Sequence, residues 1–555
     1  MHSTQVENKF DLLIIGAGLS GVCSLYHARK QFPEWRIKLI EAGEGVGGVW
    51  HWNRYPGARF DSESLSYGFS FDKELLQEWA WTEEFAPQAE TEKYVNKVCE
   101  KHNLYEHMKF NTKIDSARWD NNNKIWTFTD SEGFKYETTF FISCIGFLSA
   151  PTLPNITGIE NFKGASFHTS KWPKDLDYRK DFANKRVGVI GTGATGIQTI
   201  TAVAKESDVK SLTVFQRTAN WACPLHNAKI SPEQMDKYRT QYDDIFQRCL
   251  ETPTCFIHKS YPQKSSDATP EERQALWEKL YSEPGMTKWL APYNDTYTDR
   301  EANRLYSSFM EQKIRSRIHD PKVADKLIPN HGFGTRRVPL ESGYYEVFNK
   351  PNVHLVDLLS TPVTTVTDTG IITSDGQQHE LDILIYATGF DAVTGAFSAI
   401  DWQGKDGRPL MGDSDSEAGK NAVWPDARPH TYLGFMSPGM PNFFTVLGPH
   451  QPFGNATRSI EHVVPLITEL LAYCKEKGYA YVEPTDEAAD QWTEHVVECS
   501  KGALLNEVDS WMTGVNKNVK GKTVRTVARY AGSAIEYRRR CEASRAAGWE
   551  GFRFA

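Results

Sequence analysis

Residues 11–21 read Asp11-Leu12-Leu13-Ile14-Ile15-Gly16-Ala17-Gly18-Leu19-Ser20-Gly21, and residues 37–41 read Ile37-Lys38-Leu39-Ile40-Glu41. A short apolar run leads into a G-x-G-x-x-G turn. A helical repeat carried by Val22, Leu25, Tyr26 and Ala28 follows, then a second apolar run that ends in an acid. Each part has a physical job. The glycines allow a tight turn and let backbone approach a pyrophosphate. The helix starting there presents its positive end to that charge. Glu41, twenty residues after Gly21, accepts hydrogen bonds from a ribose hydroxyl. The stretch predicts an α/β fold with a Rossmann-like dinucleotide site held by Gly16, Gly18, Gly21 and Glu41.

The pattern recurs. Arg186-Val187-Gly188-Val189-Ile190 is followed by Gly191-Thr192-Gly193-Ala194-Thr195-Gly196, a helix through Ile197 and Ile200, and a strand Ser211 to Phe215. This second strand ends Gln216-Arg217-Thr218, with a cation where the first has an acid. An arginine there matches a 2′-phosphate. The first site therefore reads as binding an unphosphorylated adenosine ribose, and the second as binding NADP. The fold class expected is α/β, with two Rossmann-like dinucleotide-binding domains.

Outward from these turns the chain divides. Residues 71–103 read as helix and loop. Phe110 to Phe141 alternates as a hairpin set with turns at Asn121-Asn122-Asn123 and Glu132-Gly133. Phe140 to Gly146 is an apolar strand ending at glycine, and Pro151 to Pro154 marks a crossover. Residues 221–325 lack a glycine framework and read as a helical insertion whose charges form a solvated face. Leu381 to Tyr386, ending in Ala387-Thr388-Gly389, echoes the earlier strand, as a return crossing. Residues 442–448 read as a strand, and residues 459–477 and 487–499 as helices. The expected order is residues 1–150 for the first part of one domain, 151–385 for the second domain with its insertion, and 386–555 for the completion of the first.

Composition narrows the class. At 555 residues the chain exceeds one core. Its net charge of −8 and the lack of a basic block argue against nucleic acid as a partner. Nine cysteines are scattered with no Cys-x-x-Cys. A disulfide framework, a zinc site and a dithiol redox motif are not expected, and no metal is. No apolar run has the length of a membrane span. A cytoplasmic protein with a small-molecule substrate is expected; the oligomeric state stays open.

Two further stretches carry chemistry. Gly45 to Asp61 holds a glycine cluster with Trp50 and Tyr55, right after the ribose-reading acid, and suits a second contact with an extended cofactor whose flat ring Trp50 and Tyr55 could pack against. Between the two turns, Phe162-Lys163-Gly164-Ala165-Ser166-Phe167-His168-Thr169-Ser170-Lys171-Trp172-Pro173 spells F-x-G-x-x-x-H-x-x-x-W-P. Two Rossmann turns with this sequence between them resemble the flavin-dependent Baeyer–Villiger monooxygenases, over nearly the whole chain. Phe162, Gly164, His168, Trp172 and Pro173 fill every fixed place of that fingerprint. General flavin monooxygenases and N-hydroxylases usually lack the Trp-Pro ending.

The resemblance implies cofactors, roles and an activity. FAD would be held by Gly16, Gly18, Gly21, Glu41, Gly48, Val49, Trp50, Asp61 and Tyr67, with Ile114 near its adenine end. NADPH would be held by Thr192, Gly193, Ala194, Thr195, Gly196, Arg217, Thr218 and Arg336, with Trp511 reaching the nicotinamide nucleotide when the domains close. Position 336 is more often lysine in this family. Arg337 would be the active-site arginine and Asp61 the carboxylate that orients it. The implied activity is NADPH- and O2-dependent oxidation of a hydrophobic ketone to an ester or lactone through a C4a-peroxyflavin. A cation stays charged beside the peroxide anion and the adduct that follows. His168 and Trp172 would couple the domains. The alternatives are a flavin monooxygenase acting on nitrogen or sulfur, and a non-enzymatic nucleotide sensor.

Overall fold

A computed structural model describes residues 8–555. Its first sheet grows around β1 (Lys9–Ile15), the strand that enters the first glycine turn. Leu12, Leu13 and Ile14 have no exposed surface, because this strand is covered on both faces, as a central parallel strand requires. Helix α1 (Leu19–Gln31) follows, then β2 (Ile37–Ile40), β3 (Met108–Lys109), β4 (Ile114–Asp120), β5 (Ile125–Asp130) and β6 (Lys135–Ser143). β4, β5 and β6 form an antiparallel meander turning where the asparagine and Glu-Gly signals lie, and β6 then runs parallel to β1.

The second sheet is parallel throughout. β7 (Ala165–His168), β8 (Arg186–Ile190), β9 (Ser211–Gln216), β10 (Val353–Asp357) and β11 (Ile383–Tyr386) lie in the order β10-β9-β8-β11-β7. Helix α2 (Ala194–Glu206) leaves the second glycine turn. The F-x-G-x-x-x-H-x-x-x-W-P stretch is more than a link between the two turns: four of its residues are the edge strand β7 of this sheet. Gly164 is required at the entry to that strand, since a Cβ there would stand 2.5 Å from the Asp382 carbonyl oxygen.

After β11 the chain returns to the first sheet. β12 (Asp401–Gln403) extends it beside β4, and β13 (Phe443–Thr445) pairs with the end of β6. Helix α3 (Ala456–Lys477) lies against α1. It buries Ile460, Val463, Val464, Ile467, Leu470 and Leu471 in the core beneath that sheet. Each such side chain contributes about 1.5–3 kcal/mol. The two crossings between the sheets run side by side. Thr152 N donates to Gly389 O at 3.0 Å, Asp391 N to Ala150 O at 2.8 Å and Val393 N to Phe147 O at 2.9 Å.

The region 221–325 is helical, as its composition predicts, but its charges are not all on a solvated face. Lys288 has no exposed surface, and Arg317 Nη1 meets the buried Glu341 carboxylate at 2.8 Å. The insertion packs Trp277, Tyr306, Phe309 and Met310 into the core shared with the second sheet, so part of its polar content is carried inward and hydrogen-bonded there, Lys288 to the carbonyls of Glu283 and Gly285.

Candidate active site

The two glycine turns are built alike. Gly16 and Gly191 have φ of +102° and +108°, a region L side chains rarely enter. In each turn the last glycine lies against the first. A Cβ on Gly21 would stand 1.8 Å from Gly16 O, and one on Gly196 would stand 2.2 Å from Gly191 O. Each turn is crossed by the chain leaving a return strand: Cys144 after β6, Ala387 after β11. A Cβ on Gly16 would stand 2.4 Å from Cys144 O, and one on Gly191 the same distance from Ala387 O.

At the end of β2, Glu41 is buried and its two oxygens accept from Ala17 N and Gly43 N, each at 2.7 Å. The acid is thus fastened to the glycine turn it serves. Ile114 starts β4 nearby, where Thr112 N donates to Glu41 O at 3.0 Å. Gly47 N donates to Ala17 O at 2.9 Å, and a Cβ on Gly48 would come within 2.8 Å of Gly18 Cα. The two glycine loops therefore pack backbone to backbone, and no side chain fills the cradle between them. Val49–Trp52 is a short helix. It carries Trp50 inward, where its indole Nε1 donates to Tyr67 Oη at 3.1 Å and its ring meets Phe60 and Tyr67 edge-on. Tyr67 stacks on Phe60 with centroids 4.3 Å apart. Val49 is partly exposed.

At the second turn, Thr192 Oγ1 donates to Thr218 O at 2.9 Å, tying the turn to the end of β9. Gly193 has open space around it, and Ala194 and Thr195 begin α2. Arg217 is exposed. Arg336 is half-buried, and its pKa is lowered by burial and then by Arg217 beside it, with Asp509 opposing. Its Nε is buried without a partner. Two cations share a place where one carboxylate balances neither fully, which matches a dianionic phosphate. Trp511 sits two residues beyond Asp509 in a capped turn, where Ser510 Oγ accepts from Met512 N at 3.2 Å.

Asp61 and Arg337 meet. Asp61 is buried in the loop that follows the first glycine region. Its Oδ2 is 2.5 Å from Arg337 Nη1 and accepts from Leu340 N at 3.1 Å, although Asp61 and Leu340 are 279 residues apart. Asp61 Oδ1 is buried with no partner. The Arg337 side chain keeps 28% of its surface exposed. It also donates to Val338 O at 2.7 Å and lies 5.7 Å from the Trp289 ring, supplied by the insertion. The result is a cation oriented by a buried carboxylate and accessible on one side.

The fingerprint residues lie apart from that cation. His168 Nε2 donates to Gly389 O at 3.1 Å and its Nδ1 accepts from Ser170 N at 3.1 Å. Burial lowers its pKa to about 4, so the ring is neutral. Its partners tie strand β7 to the return crossing. Trp172 packs edge-on against Phe167 at 4.7 Å, Phe162 is buried beneath β11, and Pro173 is exposed. Sequence reading missed a bridge between the halves: Tyr55 Oη donates to Gln198 Oε1 at 2.8 Å, and Gln198 Nε2 donates to Arg59 O at 3.1 Å. It also missed Trp289. Neither has a local signal, because Gln198 lies 143 residues from Tyr55 and Trp289 meets Arg337 only through the fold.

A family model described as flavin-binding monooxygenase-like matches residues 9–263. With the two glycine turns, it defines the class as a flavin-binding monooxygenase. The chain is 41% identical over 551 residues to 2-oxo-Δ3-4,5,5-trimethylcyclopentenylacetyl-CoA monooxygenase of Pseudomonas putida, covering 98% of both chains. It is 37% identical to cyclohexanone 1,2-monooxygenase of Acinetobacter sp., covering 98% of this chain and 96% of the relative. The crystal structure of OTEMO in complex with FAD and NADP superposes with a TM-score of 0.91 at 41% identity, over 98% of this chain and 99% of that one. The chain belongs to the Baeyer–Villiger monooxygenase family.

Proposed function

We propose that this enzyme uses FAD, NADPH and O2 to convert a hydrophobic ketone to an ester or lactone. The observation that carries the reading is the pair Arg337–Asp61, a fixed cation between the two dinucleotide sites. The relatives named above for ketones support it, and oxygenation of nitrogen or sulfur is less supported. Among the described residues no helix is long and apolar enough to cross a membrane.

We assign residues 1–150 and 386–555 to FAD and residues 151–385 to NADPH. FAD reduced by NADPH supplies the oxygen-activating chemistry when both are bound. Gly16, Gly18, Gly21 and Gly48 leave room for its pyrophosphate, and Glu41 takes its ribose. Val49, Trp50, Asp61, Tyr67 and Ile114 complete that side. Thr192 to Gly196 receive the NADPH pyrophosphate, Arg217, Thr218 and Arg336 its 2′-phosphate, and Trp511 its nicotinamide end. Arg337 holds negative charge as it develops at the substrate, and Asp61 keeps the guanidinium aimed. His168 and Trp172 position the two halves.

The test is Arg337→Ala. Ester formation is expected to fall about 100-fold or more, as on removal of one preorganised charge donor, while NADPH still reduces the flavin. Ester formed at near wild-type rate would remove Arg337 from the role.

A further inference from the structure

Arg529 is an arginine with no partner among the described residues: no hydrogen bond, ion pair or ring contact holds its guanidinium. Two other inward-facing arginines are held by carboxylates, and Arg336, whose Nε is also unpartnered, is already accounted for by the proposed 2′-phosphate. Arg458, with a side chain 5% exposed, meets Glu461 at 2.8 Å. Arg317 meets Glu341 at 2.8 Å and Glu346 at 2.6 Å. Burial alone lowers the pKa of Arg529, and no neighbouring carboxylate raises it.

Its place in the fold is specific. His450 N donates to Ala528 O at 3.0 Å, Tyr530 N donates to Gln451 O at 3.4 Å, and His450 Nε2 donates to Val527 O at 3.2 Å. Residues 527–530 are thus laid along the loop that follows β13. Bonds to one neighbouring chain at 528 and 530 are the pattern of extended backbone, in which successive side chains leave on opposite sides. Tyr530 turns into the aromatic group of Trp492 and Tyr537, with centroids 5.4 and 5.8 Å away. Arg529 leaves on the other side.

That loop is fastened to the chain over the first glycine turn. Val446 N donates to Ser143 O at 3.1 Å, and Phe453 stacks on Phe147 with centroids 4.8 Å apart. Cys144, between those two anchors, is the residue that presses on Gly16. Arg529 therefore belongs to the wall built around the proposed flavin site, and that wall is otherwise apolar and neutral: Leu447, Pro449, Pro452 and Phe453.

We propose that Arg529 is a specificity-determining residue that receives a carboxylate on the substrate, so that the ketone taken is an oxo acid with an apolar body. A guanidinium offers a planar fork that a carboxylate meets with two hydrogen bonds. This deepens the Baeyer–Villiger reading and rests on it.

The holoenzyme is given two matched ketones, 4-oxocyclohexanecarboxylic acid and its methyl ester. Lactone is measured by mass spectrometry, and binding to the oxidised enzyme by titration of the flavin absorbance. Wild type is expected to prefer the acid by about tenfold to hundredfold in kcat/KM, mostly through KM, as a charge-assisted pair gives. Arg529→Leu is expected to lose that preference while still turning over the ester, and Arg529→Lys to restore part of it. The proposal is overturned if wild type uses both ketones equally, if Arg529→Leu lowers both alike, or if it abolishes flavin reduction by NADPH, which would make Arg529 a cofactor ligand. If neither ketone yields lactone but the acid binds more tightly and does so through Arg529, the carboxylate contact stands, while the Baeyer–Villiger reading and the claim that the bound acid is oxidised both fall.

Discussion

Replacing Asp61 with asparagine tests the core of the site with little change of shape. The carboxylate Oδ2 takes two donors, Arg337 Nη1 at 2.5 Å and Leu340 N at 3.1 Å. An asparagine carbonyl still accepts from Leu340 N, so the local backbone keeps its anchor. What is lost is the charge facing Arg337. A hydrogen bond between charged groups is worth about 1.5–3 kcal/mol, and the Arg337 side chain, 28% exposed, is partly screened by water. The lower half of that range applies, about 1.5–2.3 kcal/mol. At about 1.4 kcal/mol per factor of ten, ester formation slows by roughly 10- to 50-fold. The loss belongs in kcat, since the guanidinium keeps its bond to Val338 O and its contact with Trp289 but in an orientation no longer fixed. The assay pairs anaerobic flavin reduction by NADPH, followed by absorbance, with ester quantified by gas chromatography. Reduction is expected to stay near wild type. If Asp61→Asn makes ester at the wild-type rate, Asp61 does not orient Arg337 in any way that matters to the chemistry.

The two glycine turns separate the cofactors. Gly21→Ala, whose Cβ meets Gly16 O at 1.8 Å, is expected to yield protein without bound flavin, whereas Gly196→Ala, with its clash at 2.2 Å, should keep the yellow cofactor and lose reduction by NADPH. The reverse pattern in absorbance spectra would exchange the assignments. Stability should also depend on pH through His168 and His450, both buried with pKa lowered to about 4 by burial. The unfolded chain binds these protons near pH 6.5 and the folded chain only near 4. The stability they permit is full above pH 6.5 and is lost as pH falls toward 4, by up to about 3 kcal/mol for each. Inactivation rates at pH 7.5 and 5.0 measure it, and His450→Gln is expected to flatten the difference; equal rates for wild type at both pH values would contradict the burial of these rings.

What the sequence made legible follows from the range of the forces involved. The glycine turns, the strands entering them and Glu41 lie within one supersecondary unit, where spacing alone dictates geometry. The hairpins of residues 114–143 were readable for the same reason. Strand β7 was not, because four residues are too few for a period to be read from Ala165 and Phe167 alone, and its strand character comes from β11, more than two hundred residues later. The inward turn of Trp50 depends on Tyr67 and Phe60, and the burial of Lys288 on a core built by the insertion as a whole. The pairing of Asp61 with Arg337 has no local signature; it entered through resemblance, and its geometry came only with the fold.

The side-by-side crossings between the sheets have a mechanical consequence. A single extended strand joining two bodies lets either one spin about the strand axis. Two antiparallel strands hydrogen-bonded at Thr152–Gly389, Asp391–Ala150 and Val393–Phe147 form a flat ribbon, which resists torsion and yields by flexing across its thin dimension. Any opening of this molecule has to flex that ribbon and to part the bonds that Asp61 makes to Arg337 and Leu340.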